Sequence, residues 1–216
     1  MRLQGQPIRR RAQRLPAPVR REHILDAAIR TFARRGYRET ATAAIAAELE
    51  VSEPTIFRHF PTKRALYLAT IDRSAEITMR RWREIAADSA SHLASLLEMG
   101  RWYFDELQRD SHHLRLRFRS YNEAHDPEVG ERVRLHARAG FDFVRCLYEQ
   151  ARAAGEIAAD TDVRAHTWLF MAIGTLLDVT QILDLRGDLP LEDMPAIMLL
   201  GAPRPGDGHT RKEEDS

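Results

Sequence analysis

Apolar residues recur at spacings of three and four along almost the whole chain, and no stretch sustains the alternation of apolar and polar side chains that a half-buried strand needs. A backbone patterned this way can bury its apolar side chains only as helices packed on helices, so the expected fold class is all-α. Ile24, Ala28 and Phe32, flanked by Leu25 and Ile29, form one stripe of a first helix over about 20–35, and Gly36 is placed to stop it. A short second helix over about 42–49 offers Ile45, Ala46 and Leu49 to a core. Glu50-Val51-Ser52 then leaves room only for a tight turn. Ser52 is expected to cap a third helix that carries Glu53 and Pro54 in its first turn and runs to about 59. A long fourth helix follows Pro61-Thr62-Lys63 to about 84, with Leu66, Ala69 and Ile71 among its buried positions. Further helices are expected over about 89–109, 112–122, 127–153, 162–185 and 190–200, with Asp126-Pro127 and Asp160-Thr161-Asp162 as starts.

Length and charge divide this helical chain. Its 216 residues suit one small domain and one larger one. Residues 1–19, rich in Pro and Arg and without helical periodicity, read as a flexible basic arm, and 202–216 as a disordered tail. Between them, 20–66 form the small domain and 67–201 the larger. Fourteen Lys and Arg stand against six Asp and Glu through Arg64, a local charge of +8, which leaves −7 on the remainder of a chain whose net charge is +1. A basic end on a near-neutral chain suits a polyanion, because Lys and Arg that neutralise phosphates release condensed counterions. The apolar run from Trp168 to Leu177 is far short of a membrane span, and no signal-peptide core precedes the helices, so a cytoplasmic protein with no membrane partner is expected. Cys146 is the one cysteine, which excludes an intramolecular disulfide and any zinc site built on several cysteines.

Two short helices joined by three residues, with small Ala46 facing the turn and Val51 plugging it, make a helix-turn-helix whose second helix presents its start outward. The run Gly36-Tyr37, Thr40, Ile45-Ala46, Val51-Ser52, Thr55, Phe57, His59-Phe60 and Lys63 resembles the tetracycline-repressor (TetR) family over about residues 20–70. The resemblance implies that the third helix enters the major groove and that the residues around it meet double-stranded operator DNA. Thr40, Thr42, Glu53, Pro54 and Thr55 are the candidates before and within the start of that helix. Phe57, Arg58, His59 and Lys63 complete the set. Four positions depart from the family pattern: Glu50 stands where a turn glycine is preferred, Ala41 where Thr or Ser caps the second helix, Pro54 where a glycine lets the backbone approach DNA, and Phe57 where Tyr supplies a hydroxyl.

The larger domain carries no nucleophile elbow, phosphate-binding glycine loop, His-Glu dipeptide or Glu-x-x-His, so neither an enzyme nor a cofactor or metal site is expected. Its histidines, including His112-His113, His125, His136 and His166, read as surface or hydrogen-bonded groups, and the alternating Arg115, Arg117 and Arg119 as solvated. The family resemblance implies a small-molecule effector and a homodimer. Trp102, Tyr103, Phe118, Tyr121 and Trp168 are the candidate lining of the effector cavity. The apolar helix from Trp168 to Leu183, with Gly174 allowing close approach, is expected to be enclosed by neighbouring helices or by a second subunit. Together with the preceding helix it gives Phe141, Val144, Tyr148, Gly174 and Leu177 as the candidate dimer face. The function so implied is a repressor released from its operator by an effector. The alternatives are a constitutive DNA-binding protein without an effector and, more remotely, a helical enzyme.

Overall fold

The structure is a computed structural model that describes residues 16–183. The arm over 1–15, the helix expected over 190–200 and the tail over 202–216 lie outside the described residues. Those described form eight α-helices: α1 (Ala17–Arg35), α2 (Thr42–Glu48), α3 (Glu53–His59), α4 (Lys63–Asp88), α5 (His92–Gln108), α6 (His112–Asn122), α7 (Pro127–Ala153) and α8 (Val163–Ile182). α1 starts three residues earlier than its apolar stripe implies, because Pro18 in the first turn needs no hydrogen-bond acceptor and fits the helical φ.

The helix ends follow from local chemistry. Gly36 leaves α1 at φ 83°, and its N–H returns to the Phe32 carbonyl at 2.8 Å. Asp126 accepts the Glu128 and Val129 amides at the start of α7, Asp162 accepts that of Ala165 at the start of α8, and Thr62 accepts that of Ala65 at the start of α4. α2 has no side-chain cap, as Ala41 dictates. Ser52 departs from its expected capping role. Its hydroxyl meets Thr55 Oγ1 at 2.9 Å rather than a backbone amide. α2 closes with the Val51 N–H on the Ala46 carbonyl and the Glu50 N–H on the Ala47 carbonyl, which forces Glu50 to φ 54°.

Two apolar clusters result. In the first, Ile24, Phe32, Ile45, Ile56 and Phe60 of the three N-terminal helices enclose Leu66, Tyr67 and Ile71 of α4, and Leu116 of α6 and Val129 of α7 join them. In the second, Trp82 and Ile85 of α4 pack with Met99, Val144, Tyr148 and Phe170 of α5, α7 and α8. α4 therefore runs through both, and the division expected between residues 66 and 67 falls one turn inside it. Gly174 is not a point of forced approach: a Cβ there would sit 3.9 Å from the Tyr103 ring, ordinary van der Waals contact.

Holding a side-chain-bearing residue in the left-handed region costs on the order of 1 kcal/mol. Glu50 is exposed. Glu50→Gly should therefore stabilise the chain by about 1 kcal/mol and raise its Tm by roughly 2–4 °C. An unchanged or lower Tm in a thermal melt followed by circular dichroism would mean the turn holds no such strain.

Candidate DNA-reading surface and effector cavity

α2 and α3 cross at the tight turn, with Ala46 and Ile56 buried and Val51 half-buried between them. This leaves Pro54, Phe57 and Arg58 exposed on α3. Arg58 Nη2 donates to Thr55 Oγ1 at 3.2 Å, and Thr55 in turn meets Ser52 Oγ at 2.9 Å. If Thr55 gives its proton to Ser52, the Ser52 proton is left for an acceptor outside the protein. These residues and His59 line an open depression whose other wall is Ala17 and Arg20 of α1. Arg20, which lies outside the motif, and Ser52, which motif reading takes only as a cap, are thus surface residues of this depression.

Other candidates are committed internally. Thr40 is buried and donates to the Gly36 carbonyl at 2.7 Å, so it anchors the loop before α2 instead of facing outward. Thr42 is buried and donates to the Glu53 carboxylate, which ties the start of α2 to the start of α3. That bond engages Oε1, one of the two Glu53 oxygens that a cytosine amine could use. Lys63 lies with Nζ 4.6 Å above the Tyr37 ring and 3.3 Å from the Arg38 carbonyl. Partial burial lowers its pKa, opposed by the nearby Glu123 charge.

The second feature is a cavity of about 370 Å³, in the range of small-molecule sites. Each of four helices lines it with a stripe at helical spacing: Ile71, Ala75, Thr78, Met79 and Trp82 on α4, and Arg117, Ser120 and Tyr121 on α6. α7 adds Val133, His136, Ala137, Gly140 and Phe141, and α8 adds Trp168, Met171, Ala172 and Thr175. Of the aromatic residues expected there, Tyr121 and Trp168 line it. Tyr103 lines a smaller neighbouring pocket shared with Tyr121, Trp82 and Arg117. Trp102 and Phe118 line neither: Trp102 stacks on His113 with ring centroids 6.3 Å apart, and Phe118 packs on Tyr121. His113 is hydrogen-bonded, with Nδ1 2.6 Å from the Ser111 hydroxyl, and burial pushes its pKa down to about 4.

Arg117 overturns the reading of the α6 arginines as solvated. Its Nη2 donates to the Tyr103 hydroxyl and, at 3.2 Å, to Asp178 Oδ2, while Tyr103 donates to Asp178 Oδ1 at 2.6 Å. Asp178 is 3 % exposed. Burial pushes its carboxyl above the ordinary value against the pull of Arg117 and Tyr103, and burial also keeps Tyr103 a phenol. A lone acid inside the apolar run of α8 was the sequence signal for this cluster. Nearby, Asp72 on α4 holds Arg132 and His136 of α7, with His136 Nε2 at 2.7 Å. Among the described residues no group of three His, Cys, Asp or Glu could hold a metal ion, and no helix is long and apolar enough to cross a membrane.

The residues expected at a dimer face separate into two sets. Val144, Tyr148 and Leu177 are buried in the protomer's own second cluster and cannot meet a partner. Phe141 lines the cavity and Gly174 the smaller pocket. On α8 itself, Trp168, Leu169 and Leu176 stand exposed, so neighbouring helices of the same chain do not enclose it on every side.

Residues 24–70 match the family of bacterial regulatory proteins known as the tetR family. The chain is 30 % identical over 165 residues to the HTH-type transcriptional activator FasR of Mycolicibacterium smegmatis, covering 76 % of this chain and 71 % of that protein. The fold matches a TetR transcriptional regulator from Chloroflexus aurantiacus with a TM-score of 0.72 at 22 % identity, over 85 % of this chain and 93 % of that one. It also matches the Bacillus subtilis regulator FadR in complex with stearoyl-CoA, with a TM-score of 0.70 at 18 % identity, over 84 % and 97 % of the two chains. With its helix-turn-helix built on α2 and α3 and its larger helical domain behind them, the chain belongs to the TetR family of DNA-binding transcriptional regulators.

Proposed function

We propose that this protein is a homodimeric repressor, working in the cytoplasm without catalysis, that releases its operator when a small molecule occupies the α4–α6–α7–α8 cavity. Residues 20–66 read the DNA, and 67–201 hold the effector and the partner subunit. The observation that carries this reading is that two walls of the cavity are also parts of the DNA-reading core. Ile71 of α4 lines the cavity and belongs to the first cluster, and α6 buries Leu116 in that cluster while its next residue, Arg117, faces the cavity. A molecule that moves α6 or α4 must therefore move α1 to α3. That the solved relative FadR holds stearoyl-CoA is in keeping with a ligand-binding role for this fold.

On the DNA side, Arg58, Thr55, Ser52 and Arg20 meet phosphates, His59 and Lys63 add donors at the flanks, and the exposed Phe57 and Pro54 lie against base edges, where thymine methyls give apolar contact. Footprinting of the DNA upstream of the adjacent gene should reveal a pseudo-palindrome with half-sites roughly one helical turn apart. Arg58→Ala should weaken all duplexes about equally and flatten the slope of log affinity against log salt by about 0.9, the signature of one lost phosphate contact. Unchanged affinity and slope would mean that the DNA lies elsewhere. Shortening of the footprint's lifetime by a small molecule supports the repressor; insensitivity to every cavity-sized molecule favours the constitutive binder.

Exposed Trp168, Leu169 and Leu176 form an apolar stripe on α8 of the sort that marks an interface, and a two-fold pairing through it would give the symmetric half-sites. Leu176→Glu should dissociate the dimer in sedimentation experiments and lower operator affinity by at least about tenfold, since one short recognition helix reads few base pairs alone. A dimer that persists in this variant would place the interface off this stripe.

A further inference from the structure

The hydrogen-bonding groups in the cavity wall are unevenly spent. Thr78, Ser120 and Thr175 each donate their hydroxyl proton to a carbonyl of their own helix, those of Ser74, Arg117 and Met171. His136 commits Nε2 to Asp72. Two buried N–H groups of the wall are left without an acceptor. Trp82 is 4 % exposed and its Nε1 is buried without an acceptor; Arg117 Nε is likewise buried without one, because the guanidinium's contacts run through Nη2. Both residues line the cavity and the smaller pocket beside it. A buried donor left unmet costs about 1–3 kcal/mol, so a molecule that brings an acceptor to these groups gains what the empty site forgoes. The Tyr121 ring stands half-exposed at the rim and adds a group that can donate or accept.

Charge narrows the choice of acceptor. Asp178 already neutralises Arg117 across 3.2 Å, with Tyr103 bonded to both, and Asp72 already holds the wall's other basic group, His136, at 2.7 Å. A carboxylate or phosphate entering here would put a second anion beside Asp178 and leave net negative charge in an apolar enclosure, which is costly without a second cation. An ammonium would meet N–H donors and a guanidinium. An uncharged carbonyl meets neither penalty. Resting on the effector reading above, we infer that the cavity takes an apolar molecule bearing a neutral carbonyl, as a ketone or ester, with Trp82 and Arg117 donating to its oxygen and Asp178 setting the preference for a neutral group over an anion.

The test uses four probes of similar chain length, 2-undecanone, undecane, decanoate and decylamine, titrated into the full-length protein by calorimetry and, in parallel, into its complex with operator DNA. 2-Undecanone should bind at least about tenfold more tightly than each of the other three, the scale of one well-made hydrogen bond to a charged donor. Asp178→Asn keeps an acceptor for Tyr103 but leaves Arg117 uncompensated, and should reverse the order so that decanoate binds best. Trp82→Phe should cut the ketone's advantage over undecane while leaving undecane itself nearly unchanged. Because the wild-type series stands alone, the inference remains falsifiable even where a variant fails to fold. Equal affinities for ketone and undecane, or a preference for decanoate in the wild type, would overturn the chemistry assigned here, as would no binding by any of the four. Tight ketone binding that leaves operator affinity unchanged would uphold the cavity chemistry and refute the effector reading; operator release by decanoate or undecane in preference to ketone would do the reverse.

Discussion

α4 is one unbroken helix of 26 residues whose first half is buried among the DNA-reading helices and whose second half is buried in the larger domain. An α-helix cannot bend sharply without opening its own hydrogen-bond ladder, and α4 contains neither proline nor glycine, the usual sites of a kink. Leu66, Tyr67 and Ile71 at one end and Trp82 and Ile85 at the other therefore move as one body. α6 provides a second link of shorter reach, with Leu116 in the first cluster and Arg117 at the cavity. Ion pairs tie the same junction: Arg64 at the start of α4 meets Asp126 and Glu128 at the start of α7, and Arg38 meets Glu123 at the end of α6. These pairs are largely exposed, so they contribute little stability singly. Their effect is to fix the register of the two domains.

The same packing decides which polar groups remain for DNA. A hydroxyl on a short helix has two uses, a tertiary bond or an outside partner, and the close crossing of α2 and α3 claims the Thr42 hydroxyl for the first, with Glu53 Oε1 as its acceptor. Thr40 is likewise claimed by the Gly36 carbonyl. Ser52, Thr55 and Arg58 form a chain of hydrogen bonds along the outer side instead, which orders the Arg58 side chain before DNA arrives. An arginine held in place loses less rotamer freedom on meeting a phosphate than a free one, so preorganisation here offsets part of the cost of binding. Phe57 offers no hydroxyl and Pro54 no amide, and that chain and Arg20 line the same depression beside α3.

Helix positions were legible in the sequence because they rest on local rules: α2, α3, α6 and α7 start at the positions expected from apolar spacing and turns, and Asp126 and Asp162 cap α7 and α8 where acids before those helices predict. The burial of Ile24, Phe32, Ile45, Ile56 and Phe60 was legible from their spacing. What local rules cannot read is which of two faces a helix in a multilayered bundle turns to its own core. α7 and α8 have apolar residues on more than one side, so Val144, Tyr148 and Leu177 looked as fit for a partner as Trp168, Leu169 and Leu176, although the first three fill the protomer's own second cluster. Arg117 looked solvated because its alternation with Arg115 and Arg119 was weighed without its partner, 61 residues away on another helix. Asp178 was the better clue. An acid in an otherwise apolar helix either faces water or has a paired cation, and an apolar neighbourhood on both sides makes the second the economical choice.

A cavity joined to the helix-turn-helix core by two helices still controls nothing unless its ligand prefers one arrangement of the protein over another. Shared walls give the route, and the difference in affinity gives the force. A molecule that binds the DNA-incompetent arrangement about 100-fold more tightly supplies close to 2.7 kcal/mol for each site it fills, and in the homodimer proposed above two filled sites would supply twice that. The sign of the response is set by which arrangement makes the cavity fit. If the α4 and α6 positions that match the major grooves also close the walls around the ligand, the same molecule strengthens DNA binding, and the transcriptional outcome then depends on where the operator lies relative to the promoter. The Arg117–Asp178–Tyr103 cluster bears on this directly, because it joins α5, α6 and α8 through three hydrogen bonds in a buried setting where each is strong. A ligand oxygen that takes up the free N–H of Arg117 pulls on α6 against that anchor, and α6 is the helix that carries Leu116 into the DNA-reading core.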